Sequence, residues 1–320
     1  MEGDNRMEVA EFAARAARIV ENIETVVLGK REQVELAVAA LLCRGHLLIE
    51  DRPGTGKTIL GRALAKSIGV KFNRIQFTPD LLPADVTGMT VFDQAKVEFR
   101  FQPGPIFANL VLADEINRAT PKAQAALLEC MDEYTVTVDG VTRPLPLPFF
   151  VIATENPIEY HGTYPLPEAQ LDRFLLRLEL GYPAGEVEID MLTAQQREHP
   201  IDSVQPVVDG PEVLALGDRV RATPVSEVVK DYIVRLTSLS RDHRLVSLGA
   251  SPRGSLGLMR VAQCWALMHG LPAPREDEVK AVAEAVLSHR LILSPEARAA
   301  GLDSRAVVRR LLSEVEVKVA

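Results

Sequence analysis

Up to about Tyr182, short apolar runs alternate with stretches whose apolar residues recur at helical spacing. Such alternation is the mark of a parallel sheet covered by helices on both faces. It predicts strands at His46 to Ile49, Phe72 to Phe77, Leu110 to Ala113, Phe149 to Ala153 and Phe174 to Leu178. Beyond the loop around Asp202 to Gly210 the strand signal fades. There Val213 to Ser238, Pro252 to His269, Glu276 to Arg290 and Ser304 to Val317 all space their apolar residues as helices do. The expected fold class is α/β over residues 1–205, followed by an all-helical second domain over 206–320. Two stretches interrupt the alternation. Val97-Glu98-Phe99-Arg100-Phe101 alternates strictly and predicts a β-hairpin from about Met89 to Gln102, whereas Thr135 to Thr142 sets Asp139-Gly140 between alternating Val and Thr, a two-residue hairpin signal. Both read as inserts in the α/β core, at about 80–103 and 134–148.

The most informative local feature is the segment Ile49 to Leu60, IEDRPGTGKTIL, between a predicted strand and a helix with Leu60, Ala63, Leu64 and Ile68 on one face. Gly54 and Gly56 let the backbone crowd its N–H groups toward one point at a helix N-terminus, where a phosphate is favoured. Lys57 then meets the β- and γ-phosphates, and the Thr58 hydroxyl ligates Mg²⁺. The usual pattern opens with glycine, and here Asp51 stands in that place.

Downstream, the buried strand Leu110-Val111-Leu112-Ala113 delivers Asp114 and Glu115 to the carboxyl end of the sheet, where open α/β sheets bind ligands. Asp114 is expected to hold Mg²⁺ through water, and Glu115 to orient and deprotonate the water that attacks the γ-phosphate. A DE pair can also simply precede a helix, and Thr120-Pro121 supplies such a start. A second apolar strand, Phe149 to Thr154, ends in Glu155-Asn156-Pro157. The Asn156 amide could report whether a γ-phosphate is present, although Asn before Pro is also an ordinary turn.

Composition narrows the partners. Of 320 residues, 47% are hydrophobic and the formal net charge is -8. Such a balance repels a phosphodiester backbone, so nucleic acid is not the expected partner. Cys43, Cys130 and Cys264 are far apart among apolar neighbours and read as core thiols of a cytoplasmic protein. No apolar run reaches the length that crosses a bilayer, so no membrane insertion is expected. His46, His161, His199, His243, His269 and His289 show no paired ligand spacing, which leaves Mg²⁺ with nucleotide as the metal expected. Trp265 reads as helix core, and Arg118 as a weaker interface candidate.

Several strings together resemble one family, the MoxR group of AAA+ ATPases. They are Val26 to Thr58, Phe77 to Met89, Phe99 to Glu133, Ala153 to Phe174 and the SPRG of Ser251 to Gly254. The resemblance implies ATP and ADP as ligands, held by Pro53, Gly54, Thr55, Gly56, Lys57, Thr58 and Ile59, with Val27, Leu28 and Gly29 lining the adenine pocket. It implies that Asn156 is the first sensor and that Arg173 is an arginine finger reaching a neighbouring subunit's site. Arg253 then matches a second sensor, serving its own subunit's nucleotide or a neighbour's; Ser251 and Pro252 would start its helix. It further implies a homo-oligomeric, hexameric ring, hairpin inserts facing the pore or substrate, and a chaperone-like remodelling or metallocofactor-insertion role on a protein client, such as a von Willebrand A domain protein. Two alternatives stay open: a chelatase-like or helicase-like motor subunit, and a non-hydrolysing nucleotide-gated scaffold.

Overall fold

The computed structural model describes residues 7–157, 162–194 and 200–316; His161 and His199 lie outside them. Helices α1 (Val9–Glu24) and α2 (Arg31–Leu42) lead into β1 (Leu47–Glu50). Then follow α3 (Lys57–Ser67), β2 (Phe72–Gln76), α4 (Pro83–Thr87), β3 (Gly88–Asp93), β4 (Glu98–Pro103), β5 (Leu110–Asp114) and α5 (Pro121–Glu133). The α/β part continues through β6 (Thr135–Val138), β7 (Val141–Pro144), β8 (Phe150–Glu155), α6 (Glu168–Leu171), β9 (Leu176–Leu178) and α7 (Gly185–Ala194).

Five of these strands form one parallel sheet in the order β2-β5-β8-β1-β9. All five lie within a residue or two of the positions expected from the apolar runs. Successive side chains of a strand point to opposite faces, and the packing follows that period. Leu110, Leu112, Phe150 and Ile152 join one apolar cluster with α1, α2 and α3, while Val111, Ala113, Val151 and Ala153 join a second with α4 and α5. Both faces of β5 and β8 are therefore dry, which is why these two strands read as continuous apolar runs.

The two inserts are hairpins. β3 pairs antiparallel with β4 from Gly88↔Pro103 to Asp93↔Glu98, and β6 with β7 from Thr135↔Pro144 to Val138↔Val141. The second closes through Asp139 and Gly140, both at positive φ (53° and 74°), as a primed two-residue turn requires. The Arg143 guanidinium lies 3.9 Å from the Phe101 ring centroid, so the two hairpins touch.

The rest of the chain is α8 (Gly210–Arg221), α9 (Glu227–Asp242), β10 (Val246–Leu248), α10 (Pro252–Met268), α11 (Glu276–Leu287), β11 (Ile292–Leu293), α12 (Pro295–Ala299) and α13 (Ser304–Glu314). The run expected from Val213 to Ser238 is two helices, because Pro224 cannot extend α8 and Ser226 caps α9 by accepting the Val229 N–H. A small antiparallel ribbon, β10 with β11, accompanies the helices; both strands are too short to leave an alternating signature. Apolar residues of α8 to α13 share one continuous cluster with α1, α2 and α3. Trp265 packs against that cluster, and Cys43, Cys130 and Cys264 are free and buried. No helix among the described residues is long and apolar enough to cross a membrane.

Candidate functional site

Parallel pairing sends the carboxyl ends of all five strands to one edge of the sheet. The chain leaves β1 at Glu50, turns through residues 51–56 and enters α3 at Lys57. Gly54 and Gly56 hold φ of +82° and +92°, and a Cβ at either would meet nothing within 4 Å. The loop backbone is thus bare at the mouth of a helix, whose N–H groups carry partial positive charge. Lys57 Nζ folds back and donates to the Asp51 carbonyl at 2.6 Å. Partial burial lowers the Lys57 ammonium below its ordinary pKa, and the charges of Asp51, Asp114 and Glu115 oppose that shift.

The acid pair sits across β8 from this loop. Thr154 donates its hydroxyl to Asp114 Oδ1 at 2.6 Å and accepts the Glu115 N–H at 2.9 Å. Glu115 itself is left-handed (φ 56°, ψ 49°), a conformation that is costly for a non-glycine residue and is met often at functional sites. Arg74 on β2 forks onto Asp114 Oδ2 through Nη2 at 2.5 Å and Nε at 3.0 Å. Gln76, two residues on and hence on the same face, donates to Glu115 Oε2 at 2.8 Å, and Arg118 Nη1 reaches the same oxygen at 3.0 Å. Asp114 keeps unused lone pairs despite these bonds, so it could share a divalent cation with Thr58. Asn156 is buried just beyond β8, between the loop and the acids.

Beneath Asn156 lies a second acidic pair. Glu50 and Glu155 are register partners, and burial, then the Glu50 charge, pushes the Glu155 carboxyl up to about 7 against the pull of Arg177. Arg177 donates to Glu50 Oε2 at 2.8 Å and to Ser304 Oγ at 3.0 Å. This joins the sheet edge to the start of α13.

Beside the loop opens a cavity of about 230 Å³, walled by Val26, Val27, Leu28 and Ile59 and, from beyond β9, by Gly181, Pro183 and Met191. An apolar cleft next to a bare glycine backbone fits a flat base joined to an oligophosphate. Gly29 does not line it; its lack of a Cβ makes room for Val187 of α7.

The two arginines lie elsewhere. Arg173 precedes β9 and Asp132 lies in the last turn of α5, both at the amino edge of the sheet, and Arg253 Nη2 donates to Asp132 Oδ1 at 2.9 Å. Arg173 pairs with Asp132 Oδ2 at 3.4 Å and donates to the Leu128 carbonyl at 2.6 Å. Roughly 13 Å of strand separates His46 from Glu50. Hence Lys57, Thr58, Asp114, Glu115 and Asn156 converge on one edge, and Arg173 with Arg253 on the opposite one.

Comparison with known proteins agrees with this architecture. The family described as ATPase family associated with various cellular activities (AAA) matches residues 46–176, and the AAA lid domain matches residues 238–311. Protein YeaC of Bacillus subtilis is 51% identical over 302 residues, 94% of each chain. Chaperone MoxR1 of Mycobacterium tuberculosis is 38% identical over 313 residues, 93% of this chain and 81% of its own. The chain belongs to the MoxR family of AAA+ ATPases. A crystal structure of a Cytophaga hutchinsonii protein superposes on 97% of both chains with a TM-score of 0.90 at 35% identity.

Within this MoxR-type chain, sequence reasoning missed Arg74, Gln76, Thr154 and Asp132. Only Arg74 and Gln76 left a trace, as polar residues alternating with buried Ile75 in β2. His46 is a satisfied core histidine: its Nε2 meets the Met131 carbonyl and its Nδ1 accepts the Val151 N–H. Burial lowers its pKa to about 4, which leaves it neutral and able to accept that bond.

Proposed function

We propose that this protein is a Mg²⁺-dependent ATPase that converts ATP and water to ADP and phosphate and uses the cycle to remodel a protein partner. The observation that carries the proposal is the convergence of a bare glycine loop at a helix mouth with two strand-end carboxylates and a buried amide on one sheet edge. Loop amides and Lys57 hold the phosphates, and the base enters the cleft beside Ile59. Thr58 and Asp114 are the residues for Mg²⁺, which would neutralise the phosphate charge. Glu115 takes the proton of the attacking water, and Asn156 hydrogen-bonds that water or the γ-phosphate.

The position of Arg173 and Arg253 at the amino edge supports a trans role, in which each chain completes a neighbour's site within a closed, hexameric ring. On that reading, residues 1–205 form the nucleotide-binding core and 206–320 the lid. The β3–β4 hairpin leaves Phe92, Val97 and Phe99 at 50%, 76% and 76% exposure. Such apolar exposure supports contact with a protein client. A von Willebrand A domain client and metallocofactor insertion rest on family resemblance alone.

Phosphate release and nucleotide binding, measured together, test the proposal. Glu115→Gln should bind ADP as the parent does and lose turnover by about 10²-fold or more. Lys57→Ala should lose binding itself. Parent-like turnover in both variants would remove the assigned roles.

A further inference from the structure

Asp51, the residue standing where phosphate loops ordinarily open with glycine, does not face the phosphate site. Its side chain turns inward, is 7% exposed, and accepts three backbone N–H groups: Arg52 at 2.7 Å on Oδ1, and Leu180 at 2.9 Å and Gly181 at 2.7 Å on Oδ2. A buried carboxylate needs such donors, because a charge taken out of water and left unpaired is strongly destabilising. The last two belong to the segment between β9 and α7, the same segment that supplies Gly181 and Pro183 to the cleft, with Met191 following in α7.

Packing alone does not hold that wall. Helix α7 buries none of its residues, and Ile189 and Leu192 are more than 60% exposed (64% and 69%). Its apolar anchorage includes Val187 against Gly29. Leu180 is anchored by packing, 2% exposed in the main apolar cluster, and polar ties hold the residues that follow: besides Asp51, Lys30 Nζ donates to the Tyr182 carbonyl at 2.9 Å, and the Arg52 guanidinium lies 5.7 Å from the Tyr182 ring centroid. Three ties thus converge on Leu180 to Tyr182, two of them from the first residues of the glycine loop.

We infer that Asp51 is a positioning residue for the base: it fastens the Leu180–Tyr182 strap to the phosphate loop and so holds the far wall of the base cleft in place. The inference rests on reading the cleft as a nucleotide site. Its consequence is selective. An adenine nucleotide uses the strap, whereas an inorganic oligophosphate uses the loop and Lys57 alone.

The test compares ADP with inorganic tripolyphosphate on the full chain by competition against a fluorescent ADP, in the parent and in Asp51→Ala, Asp51→Asn and Lys30→Met. Asp51→Ala should weaken ADP by about tenfold or more, the equivalent of one hydrogen bond to a charged acceptor, and leave tripolyphosphate affinity near the parent's. Asp51→Asn should fall between, since its carbonyl can serve one set of donors and its NH₂ opposes the other. Lys30→Met, which loosens the strap from its other end and also alters a side chain lining the cleft, should move ADP in the same direction, and Asp51→Asn carries the test should Asp51→Ala melt below the assay temperature. In turnover the loss should fall mainly on the KM for ATP, and discrimination between ATP and GTP should narrow. Equal losses for ADP and tripolyphosphate would make Asp51 a support of the phosphate loop only and overturn the inference. Unchanged ADP affinity in folded Asp51 and Lys30 variants would overturn it too. A parent that binds no adenine nucleotide would instead remove the functional reading beneath it.

Discussion

Arg253 and Asp132 form an ion pair between the lid and the end of α5, with Nη2 donating to Oδ1 at 2.9 Å. Arg173 leans on the same carboxylate, so one aspartate holds both arginines in the isolated chain. Such half-exposed pairs are worth about 1 kcal/mol or less. Asp132 is therefore a weak hold on both guanidinium groups, readily exchanged for another anion.

If the arginines work in trans, two inactive variants should rescue each other. Arg173→Ala keeps its own Glu115, and Glu115→Gln keeps its own Arg173. Each alone should lose about 10²-fold or more in turnover, and an equimolar mixture should regain activity well above the mean of the two. A mixture that merely averages its parts would place the arginines' action within their own chain.

Glu115 is tethered at rest by Gln76 and Arg118, both on Oε2, so a reaction that requires the carboxylate to turn works against these two bonds. Removing a net contribution of about 1 kcal/mol changes populations about fivefold. Gln76→Ala should accordingly raise kcat by about fivefold in the isolated chain with KM for ATP little changed. A lowered kcat would mean that Gln76 instead keeps Glu115 in its working pose.

Glu155 sets a pH dependence. Its carboxyl ionises near 4.5 in an unfolded chain and at about 7 when folded, chiefly through burial. Below both values it is protonated in either state and costs nothing. Between them the unfolded chain releases the proton first, so stability falls as pH rises, and above about 7 the penalty is complete. The Tm of Glu155→Gln should therefore gain on that of the parent as pH climbs through this window, then run parallel to it. A constant difference across the window would contradict the raised pKa.

Exposed Phe92 and Phe99 contact each other edge to face, with centroids 5.3 Å apart, and little else depends on them. Replacing both by Ala should cost about 1 kcal/mol or less of thermal stability and spare basal ATP turnover. The same change in a Glu115→Gln background should reduce the proteins retained by that trapped form. Leu112→Ala, on the face of β5 that packs on α1, α2 and α3 and fully buried there, should by contrast cost about 2–5 kcal/mol.

Much of this molecule is legible locally. The central sheet strands β1, β5 and β8 show as apolar runs because both faces are covered, and the hairpin at Asp139-Gly140 shows because only certain residues accept its left-handed turn. The loop from Pro53 to Thr58 shows for a like reason, since its two glycines have a backbone need that can be read one residue at a time. Less legible was the amino-terminal association of the later helices: the cluster that joins α1 to α8 and α10 links residues about two hundred positions apart, and no spacing rule reports such a partner.

By itself, then, the sequence determined which residues end the strands and line the helix mouth, because strand period, turn chemistry and glycine conformation are properties of neighbouring residues. Only the tertiary structure decided what each of those residues faces. Asp51 meets amides 129 and 130 positions away, Arg74 reaches Asp114 across 40, and Arg253 meets Asp132 across 121. A carboxylate at the start of a phosphate loop looks misplaced until the chain's return brings it two N–H groups. Arg173 stands near Asn156 in sequence, and the strand direction sends the two to opposite edges. Direction and pairing across a sheet are settled by packing both faces at once, which no short window of sequence contains.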